Sequence, residues 1–167
     1  GQLLGIPKVE ALKTYETAAI SIEAIPLRFE DSTLNEIGPL ASRLLVGVDD
    51  IPSRWLAQDV AEGWVGVAAT SHFEVVVSEH TRESPCASCL HPHDEPEEGD
   101  DIPTVSFVSA FSGFLLAHRL LRSGLAGPDP SYTLGYPFNL AGERPVSDTR
   151  LVPHPACKVG CAASEVM

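Results

Sequence analysis

The sequence predicts an α/β fold, and three observations support this prediction. Apolar runs of strand length alternate with segments of helical character through the first half of the chain. One run, "RLLVGV" at 43–48, is continuously apolar after Arg43, as expected of a parallel strand that is covered on both faces. The length of 167 residues, 44% of them hydrophobic, suffices for one domain with a core, which we place at 1–167.

The first half of the chain yields five predicted elements. The signals are a proline in a first helical turn, an Asp/Ser/Thr cap, an alternating β-branched pattern and a closing glycine. They predict a helix from Pro7, a strand from Ile20, a short helix from Asp31, a strand from Arg43 and a helix that closes at Gly63.

The second half yields two long strands, a long helix and two short strands. The runs at 64–70 and 72–80 are rich in valine and adjacent, which predicts an antiparallel pair. The longest apolar segment, 103–121, contains serines, a histidine and an arginine, so it is typical of a buried helix, which we place at about 103–122, and not of a membrane span. Short strands are predicted around Tyr132 and at 145–152.

Charge narrows the classes of partner. The chain carries 23 acidic and 11 basic side chains, a formal net charge of −12, which disfavours nucleic acid because a phosphate backbone would be repelled. Acidic residues concentrate at 94–101, a pattern typical of a solvated loop. Neither a secretory signal nor a membrane span is evident, which favours a cytoplasmic protein with no membrane partner.

The four cysteines form two close pairs, Cys86 with Cys89 and Cys157 with Cys161. Such spacing lets one turn present two thiolates to one point, and two such turns, at 84–90 and 154–161, predict a structural four-cysteine zinc site. Two disulfides, or one redox-active pair, are the alternatives. His91 and His93 could replace a cysteine as ligands, although surface histidines explain them as well.

Three stretches, in order, resemble the motifs of one enzyme superfamily. "GIPKVEAL" looks like a glycine-x-proline-lysine helix start, and "VGVDDIPSRWLAQD" looks like an aspartate turn of the form D-x-T-D-N-x-x-x-R-x-x-x-N. "PCASCL" and "HPACKVGC" look like zinc pairs that flank a long helix. The chain thus resembles the ThiF/MoeB/HesA superfamily, which adenylates the C-terminal glycine of ubiquitin-like and sulfur-carrier proteins.

The resemblance implies a three-layer, Rossmann-like mixed sheet that acts with ATP and magnesium. Matched residue by residue, Lys8 corresponds to the lysine that contacts the nucleotide phosphates, and Asp49 to the aspartate that holds magnesium. Arg54 corresponds to the arginine of the same turn. A lysine and a metal-bound aspartate suit the negative charge that builds up when a carboxylate attacks a phosphate.

The departures from the family pattern define a second hypothesis. Asp50 and Val48 stand where the family has asparagine and threonine. The glycine-rich turn that binds ATP in the family has no counterpart before Gly1, so we expect the chain to be incomplete at its N-terminus. The expected crossover loop, 91–102, lacks the cysteine that thioester-forming members use.

We therefore expect adenylation of a ubiquitin-like or sulfur-carrier protein without a thioester. The alternative is a non-catalytic, zinc-stapled partner of such a protein or of an active sister subunit. Either hypothesis predicts a homo- or hetero-oligomer, because apolar surface would be left where the missing strands should pack.

Overall fold

A computed structural model describes residues 5–71, 73–93, 106–129, 132–138 and 146–161, with the side chains of Ser71 and Tyr132 left aside. The chain forms two compact units, Gly1–Pro39 and Leu40–Met167. The larger unit contains the sheet. The grouping of residues 1–167 into one functional domain stays a prediction.

The first unit consists of short helical turns. Helix α1, Lys8–Ala11, begins directly after Pro7 and continues as a 3₁₀ turn, Leu12–Tyr15. A second 3₁₀ turn, Asp31–Thr33, leads into α2, Leu34–Ile37. The predicted helices at Pro7 and Asp31 are therefore confirmed, although the first is shorter than its sequence pattern suggested.

The predicted strand from Ile20 is wrong. Ile20 forms only an isolated bridge with Thr17, and residues 21–26 have no regular secondary structure. A β-branched residue favours a strand when its side chain packs on a half-buried sheet surface, and the side chain of Ile20 is instead exposed.

The second unit contains a five-stranded mixed sheet, which confirms the predicted α/β class. Its strands run in the order β1 (Arg43–Val46), β2 (Trp64–Ser71), β3 (Glu74–His80), β4 (Tyr132–Pro137) and β5 (Ser147–Arg150). Strands β1 and β2 are parallel, with Arg43 opposite Trp64, and every later pair is antiparallel. Helix α3, Ile51–Val60, connects the parallel pair, as a parallel crossover requires.

Strand β1 differs from its prediction in one respect. It is parallel, as expected, but among the described residues it pairs only with β2 and lies at one edge of the sheet. Leu45 is 48% exposed, so the expectation that both faces of this strand are covered is wrong.

Helix α5, Ser106–Ala126, packs across β2 and β3 and forms the main core. The sheet contributes alanine and valine to this core, and the helix contributes valine and leucine: Ala68, Val75, Val77, Val108, Leu115 and Leu116. Gly66 is required at this interface, because a Cβ there would meet the Trp64 ring and the Leu116 side chain. The predicted helix is thus confirmed and runs on to Ala126.

A buried ion pair joins α5 to the sheet. Glu79, which is 1% exposed, accepts a hydrogen bond from Arg119 at 2.8 Å. Its other carboxylate oxygen accepts from Trp64 Nε1 at 3.0 Å and from the backbone N–H of Asp129 at 3.4 Å. Each charge is therefore matched and hydrogen-bonded, as a buried carboxylate requires.

The opposite side of α5 exposes large apolar side chains. Phe107, Phe114, Leu121 and Leu125 are each more than half exposed. Within the described part of the chain, none of the helices combines the length and apolarity needed to cross a bilayer.

Candidate functional site

The turn after β1 is built by the first residues of α3. Asp50 caps the helix, and its carboxylate accepts a hydrogen bond from the backbone N–H of Ser53 at 2.9 Å. Pro52 lies in the first turn, where no backbone N–H is needed. Asp50 is therefore the N-cap of α3, a position that aspartate fills well.

Arg54 stabilises the same turn through hydrogen bonds to its backbone. Its side chain is buried, and its guanidinium donates to the backbone carbonyl of Val48 at 3.0 and 3.1 Å and to that of Asp49 at 3.3 Å. Burial lowers the pKa of Arg54, although the charges of Asp49 and Asp50 act to raise it. The hydrogen bonds of Arg54 thus hold the backbone that carries the exposed carboxylate of Asp49.

A cavity of about 240 Å³ opens beside this turn. It lies between residues 47–49, the end of β2 and the first two turns of α5. Its polar lining consists of Asp49, Arg54, Thr70, Ser109 and Ser112. The carboxyl ends of parallel strands are where α/β sheets bind ligands, and β1 and β2 both end at this cavity. The structure therefore brings Asp49 and Arg54 together at one cavity.

The four cysteine sulfurs come together in a second site. Between the turns, the Sγ atoms of Cys86 and Cys157 are 3.4 Å apart and those of Cys89 and Cys161 are 3.6 Å apart. Within each turn, the two Sγ atoms are 3.9 Å apart. A tetrahedral ion with metal–sulfur bonds of about 2.3 Å would separate its sulfurs by about 3.8 Å. All four atoms lie within 4.8 Å of one another, so the cluster could hold a metal ion.

Each cysteine pair is presented by a short, internally hydrogen-bonded turn. Cys86 precedes the short helix α4, Ala87–Leu90, and its carbonyl accepts from the backbone N–H of Cys89 at 2.9 Å. In the second turn, Gly160 adopts a φ of +64°, which glycine accepts without strain. The backbone N–H of Lys158 donates to Ser88 Oγ at 2.6 Å and joins the two turns.

The electrostatic environment differs among the sulfurs. Burial raises the pKa of Cys86, and its hydrogen bond with Cys157 raises it further. Burial also acts to raise the pKa of Cys157, but hydrogen bonds from the backbone of Cys161, the Cys86 thiol and two further backbone N–H groups lower it to about 6. Hydrogen bonds to sulfur favour the thiolate, which is the form that binds a metal.

His80 supports the first cysteine turn from the end of β3. Its ring is fully buried, with Nδ1 2.9 Å from the carbonyl oxygen of Pro85 and Nε2 2.8 Å from Ser78 Oγ. Because a carbonyl only accepts, Nδ1 carries the proton, and Nε2 accepts from the serine. Burial lowers the pKa of His80 to about 4, outweighing the hydrogen bond to Pro85, and nearby His91 lowers it further.

The two histidines after Cys89 differ from each other. His93 is exposed, as expected of a surface histidine. His91 is half-buried, and its Nε2 is buried without a hydrogen-bond partner among the described residues, so it is only partly a surface histidine. Burial, and then the charge of Arg54, lower the pKa of His91 to about 4. Neither histidine joins the four-sulfur cluster.

The described residues of the second unit do not include two of the predicted features. Lys8 begins α1 in the first unit and is exposed. Residues 94–102 of the predicted crossover loop lie outside the described residues. The roles predicted for Lys8, Asp49 and Arg54 stay predictions.

The cavity also has lining residues that sequence reasoning missed. Thr70, Ser109, Ser112 and Gly113 were not predicted to form a site. The available signal was a Ser-x-x-Ser-Gly run inside an apolar helix, which we used only as evidence against a membrane span. Small residues along one side of a helix leave space that a leucine would fill.

Comparison with solved structures identifies proteins of the same fold. The crystal structure of E. coli MccB with AMPCPP and selenomethionine MccA is 17% identical, has a TM-score of 0.69, and is matched over 93% of this chain and 51% of that chain. The E. coli MccB structure with ATP is 15% identical, with a TM-score of 0.59, and is matched over 81% of this chain and 44% of that one.

A third structure, the microcin C7 biosynthetic enzyme MccB in complex with N-formylated MccA, is 14% identical, with a TM-score of 0.59, and is matched over 80% of this chain and 45% of that one. No protein-family profile and no curated protein matches the sequence. The likeness shows a shared fold, and this chain spans about half the length of the structures it matches.

Proposed function

We propose that this chain is the substrate-side portion of an adenylating enzyme that acts on the C-terminal carboxylate of a peptide or small protein. The observation that carries the proposal is the position of Asp49 and Arg54 at a polar cavity, at the carboxyl ends of β1 and β2. The shared fold with MccB, a ThiF/MoeB-family adenylyltransferase that was crystallised with MccA, supports it.

In the proposed reaction, a carboxylate oxygen of the substrate attacks the α-phosphorus of ATP. An acyl–adenylate bond forms, the bond between the α-phosphorus and its bridging oxygen breaks, and pyrophosphate leaves. Negative charge increases on the phosphoryl oxygens, so catalysis depends on cations held in fixed positions.

Magnesium would supply that positive charge when bound. Mg²⁺ in nucleotide sites is held by one or two carboxylates together with substrate phosphates, and the exposed carboxylate of Asp49 fits this requirement. Arg54 holds the backbone of Asp49 and keeps its carboxylate at the cavity. We expect Lys8 to contact the phosphates, and the glycine-rich ATP-binding turn to come from a segment not contained in these residues.

The proposed metal in the four-cysteine cluster is zinc. The sulfur separations match a tetrahedral ion, and a complete set of four thiolates leaves no open position for water or substrate. The role of this metal is therefore structural: it ties the turn after β3 to the turn at 154–161. The substrate is a ubiquitin-like or sulfur-carrier protein, or a shorter peptide.

ATP–pyrophosphate exchange tests the proposal. The chain is assayed together with its ATP-binding half, supplied from the upstream coding sequence or as a separate chain, and with a candidate substrate. We expect Asp49→Asn to reduce exchange at least about 100-fold, because magnesium loses its protein ligand. Asp59→Asn, which removes the same charge from the exposed side of α3, is the matched control. Equal exchange by Asp49→Asn and the parent would refute the assignment.

A non-catalytic partner subunit is the second candidate, and the exposed apolar side of α5 favours it. Phe107, Phe114, Leu121 and Leu125 lie on this side, and surfaces of this kind mark interaction sites. This hypothesis predicts that a purified ubiquitin-like protein or sister subunit binds without ATP, and that no reconstitution gives exchange. Substrate-dependent exchange in any reconstitution would exclude it.

A further inference from the structure

The shortest sulfur–sulfur separations in the four-cysteine cluster run between its two turns. The Sγ atom of Cys86 lies 3.4 Å from that of Cys157 and 3.9 Å from that of Cys89 in its own turn. The Sγ atom of Cys161 likewise lies 3.6 Å from that of Cys89 and 3.9 Å from that of Cys157. A disulfide requires an S–S distance of about 2.05 Å, so a pair between the turns has less distance to close than a pair within one turn.

Contacts that involve no sulfur also hold the two turns together. The backbone N–H of Lys158 in the second turn donates to Ser88 Oγ in the first at 2.6 Å, and Ser88 is fully buried. The ring of His93, just after the first turn, meets the ring of His154 edge to face, with centroids 5.9 Å apart. Neither contact requires a bound metal, so we expect the turns to stay adjacent when a metal is lost.

Solvent reaches the four sulfurs unequally. Cys86, Cys89 and Cys161 are buried, with exposed fractions of 0%, 6% and 8%. Cys157 is half-buried and is the most accessible of the four. Oxidation of cysteine follows solvent access and thiolate character, and a metal-bound cysteine is a thiolate. An oxidant in solution therefore reaches Cys157 first, and the sulfur nearest to it in the cluster is that of Cys86.

We propose that the four-cysteine cluster is a site of reversible oxidation, in which a peroxide attacks Cys157 and Cys86 then completes a disulfide between the two turns. The inference goes beyond adenylation and does not depend on it; only the release of zinc rests on the proposed metal. The oxidised chain keeps its two turns connected, by a covalent bond in place of a metal.

The reaction balances with one hydrogen peroxide molecule per disulfide. The Cys157 thiolate attacks one peroxide oxygen, so an S–O bond forms, the O–O bond breaks, and the departing hydroxide takes up a proton to give water. The Cys86 thiolate then attacks the sulfur of the resulting sulfenic acid. The S–S bond forms, the S–O bond breaks, and a second hydroxide takes up a proton and leaves as water. Two thiolates remain, which are too few for a structural four-ligand site, so we expect bound zinc to be released.

Mass spectrometry of the zinc-loaded chain tests the pairing. The chain is treated with hydrogen peroxide in equal molar amount, the remaining thiols are alkylated, and the protein is digested with trypsin without reduction. Both cysteines of the first turn fall on peptide 83–119, whereas a cut after Lys158 separates the cysteines of the second turn. The proposed product therefore joins peptide 83–119 to peptide 151–158, and fragmentation locates the bond.

We expect the disulfide between Cys86 and Cys157 to be at least about three times as abundant as either disulfide within a turn. Zinc release, followed by the absorbance of a chromogenic chelator, should rise in parallel with this disulfide. Dimedone, which traps sulfenic acids, should label Cys157 before any other cysteine when it is present during the treatment. Reduction with dithiothreitol and addition of zinc should restore the original occupancy.

One variant tests whether contact between the turns selects the pairing. Ser88→Ala removes the hydrogen bond with Lys158 and leaves all four cysteines in place. We expect the ratio of disulfides between turns to disulfides within turns to fall at least about twofold, because the turns are held together less firmly. Ser123→Ala, which removes a buried hydroxyl that bonds only within α5, is the matched control and should keep the ratio of the parent.

The outcomes separate this inference from the proposed function. A disulfide within one turn as the main product, or sulfinic acid at Cys157 without a disulfide, would overturn the inference. Equal ratios in Ser88→Ala and Ser123→Ala, or failure to rebind zinc after reduction, would also contradict it. Formation of the proposed disulfide in a chain that holds no zinc beforehand would support the pairing and refute the proposed metal. ATP–pyrophosphate exchange bears on adenylation alone.

Discussion

Protonation of buried His80 is expected to destabilise the fold as the pH falls. The pKa of His80 is about 4 in the folded chain, against an ordinary value of 6.5. Because the folded-state pKa is depressed, the stabilisation is complete above pH 6.5 and is lost as the pH falls from 6.5 towards 4. One pKa unit corresponds to about 1.4 kcal/mol, so the free energy of unfolding falls by about 2 kcal/mol at pH 5 and about 3 kcal/mol at pH 4.

Urea unfolding of the zinc-loaded chain at pH 7.5 and pH 5 measures this loss. His80→Asn is the reference, because an amide can donate to the carbonyl of Pro85 but does not titrate. Protonation of His91 and of the cysteines contributes to both proteins, and it largely cancels in their difference. We expect the parent to lose about 2 kcal/mol more than the variant between the two pH values. Equal losses would show that the burial of His80 does not control its ionisation.

Three further changes test the metal site and the core. Cys89→Ser should abolish stoichiometric zinc in elemental analysis, because a structural site requires its four ligands. Glu79→Gln should lower the free energy of unfolding by about 3–5 kcal/mol in urea titrations, because Arg119 keeps an uncompensated buried charge. Gly66→Ala should lower it by about 1–3 kcal/mol, since the added Cβ overpacks the helix–sheet interface, whereas Gly47→Ala, whose Cβ meets no atom within 4 Å, serves as its control.

Each of these predictions has a contradicting outcome. Full zinc occupancy in Cys89→Ser would mean that another residue completes the metal site. Glu83→Gln removes an exposed carboxylate from the turn after β3 and is the control for Glu79→Gln. Equal stability of those two variants would exclude a role for the buried ion pair, and equal stability of Gly66→Ala and Gly47→Ala would contradict the described packing.

Local sequence patterns predicted the elements of the larger unit well. The strands from Arg43, at 64–70 and at 72–80 were confirmed because each packs at least one apolar face against a neighbouring element. The predicted strand from Ile20 does not form, because in the described part of the chain Ile20 has only the isolated bridge to Thr17 and pairs with no strand. Exposure of Leu45 could not be read from the sequence either, since a continuous apolar run does not specify how many neighbours a strand has.

The candidate sites were predictable to different degrees. Cysteine spacing predicted the cluster, because each short turn presents two sulfurs to one point. The cavity was not predictable, because it depends on which helical row faces the end of β2, and serines in an apolar helix do not reveal this. Arg54 was placed in the correct turn, but only the fold shows that its guanidinium binds backbone carbonyls.

The two cysteine turns lie 70 residues apart at the hydrogen bond between Ser88 and Lys158, and α5, β4 and β5 lie between them. A metal that joins these turns closes the intervening chain into a ring. A single proteolytic cut within that ring, for example at Gly127, would therefore leave both fragments attached to one ion. Such a nicked protein should migrate as one species in native conditions and separate into two pieces when a chelator removes the metal.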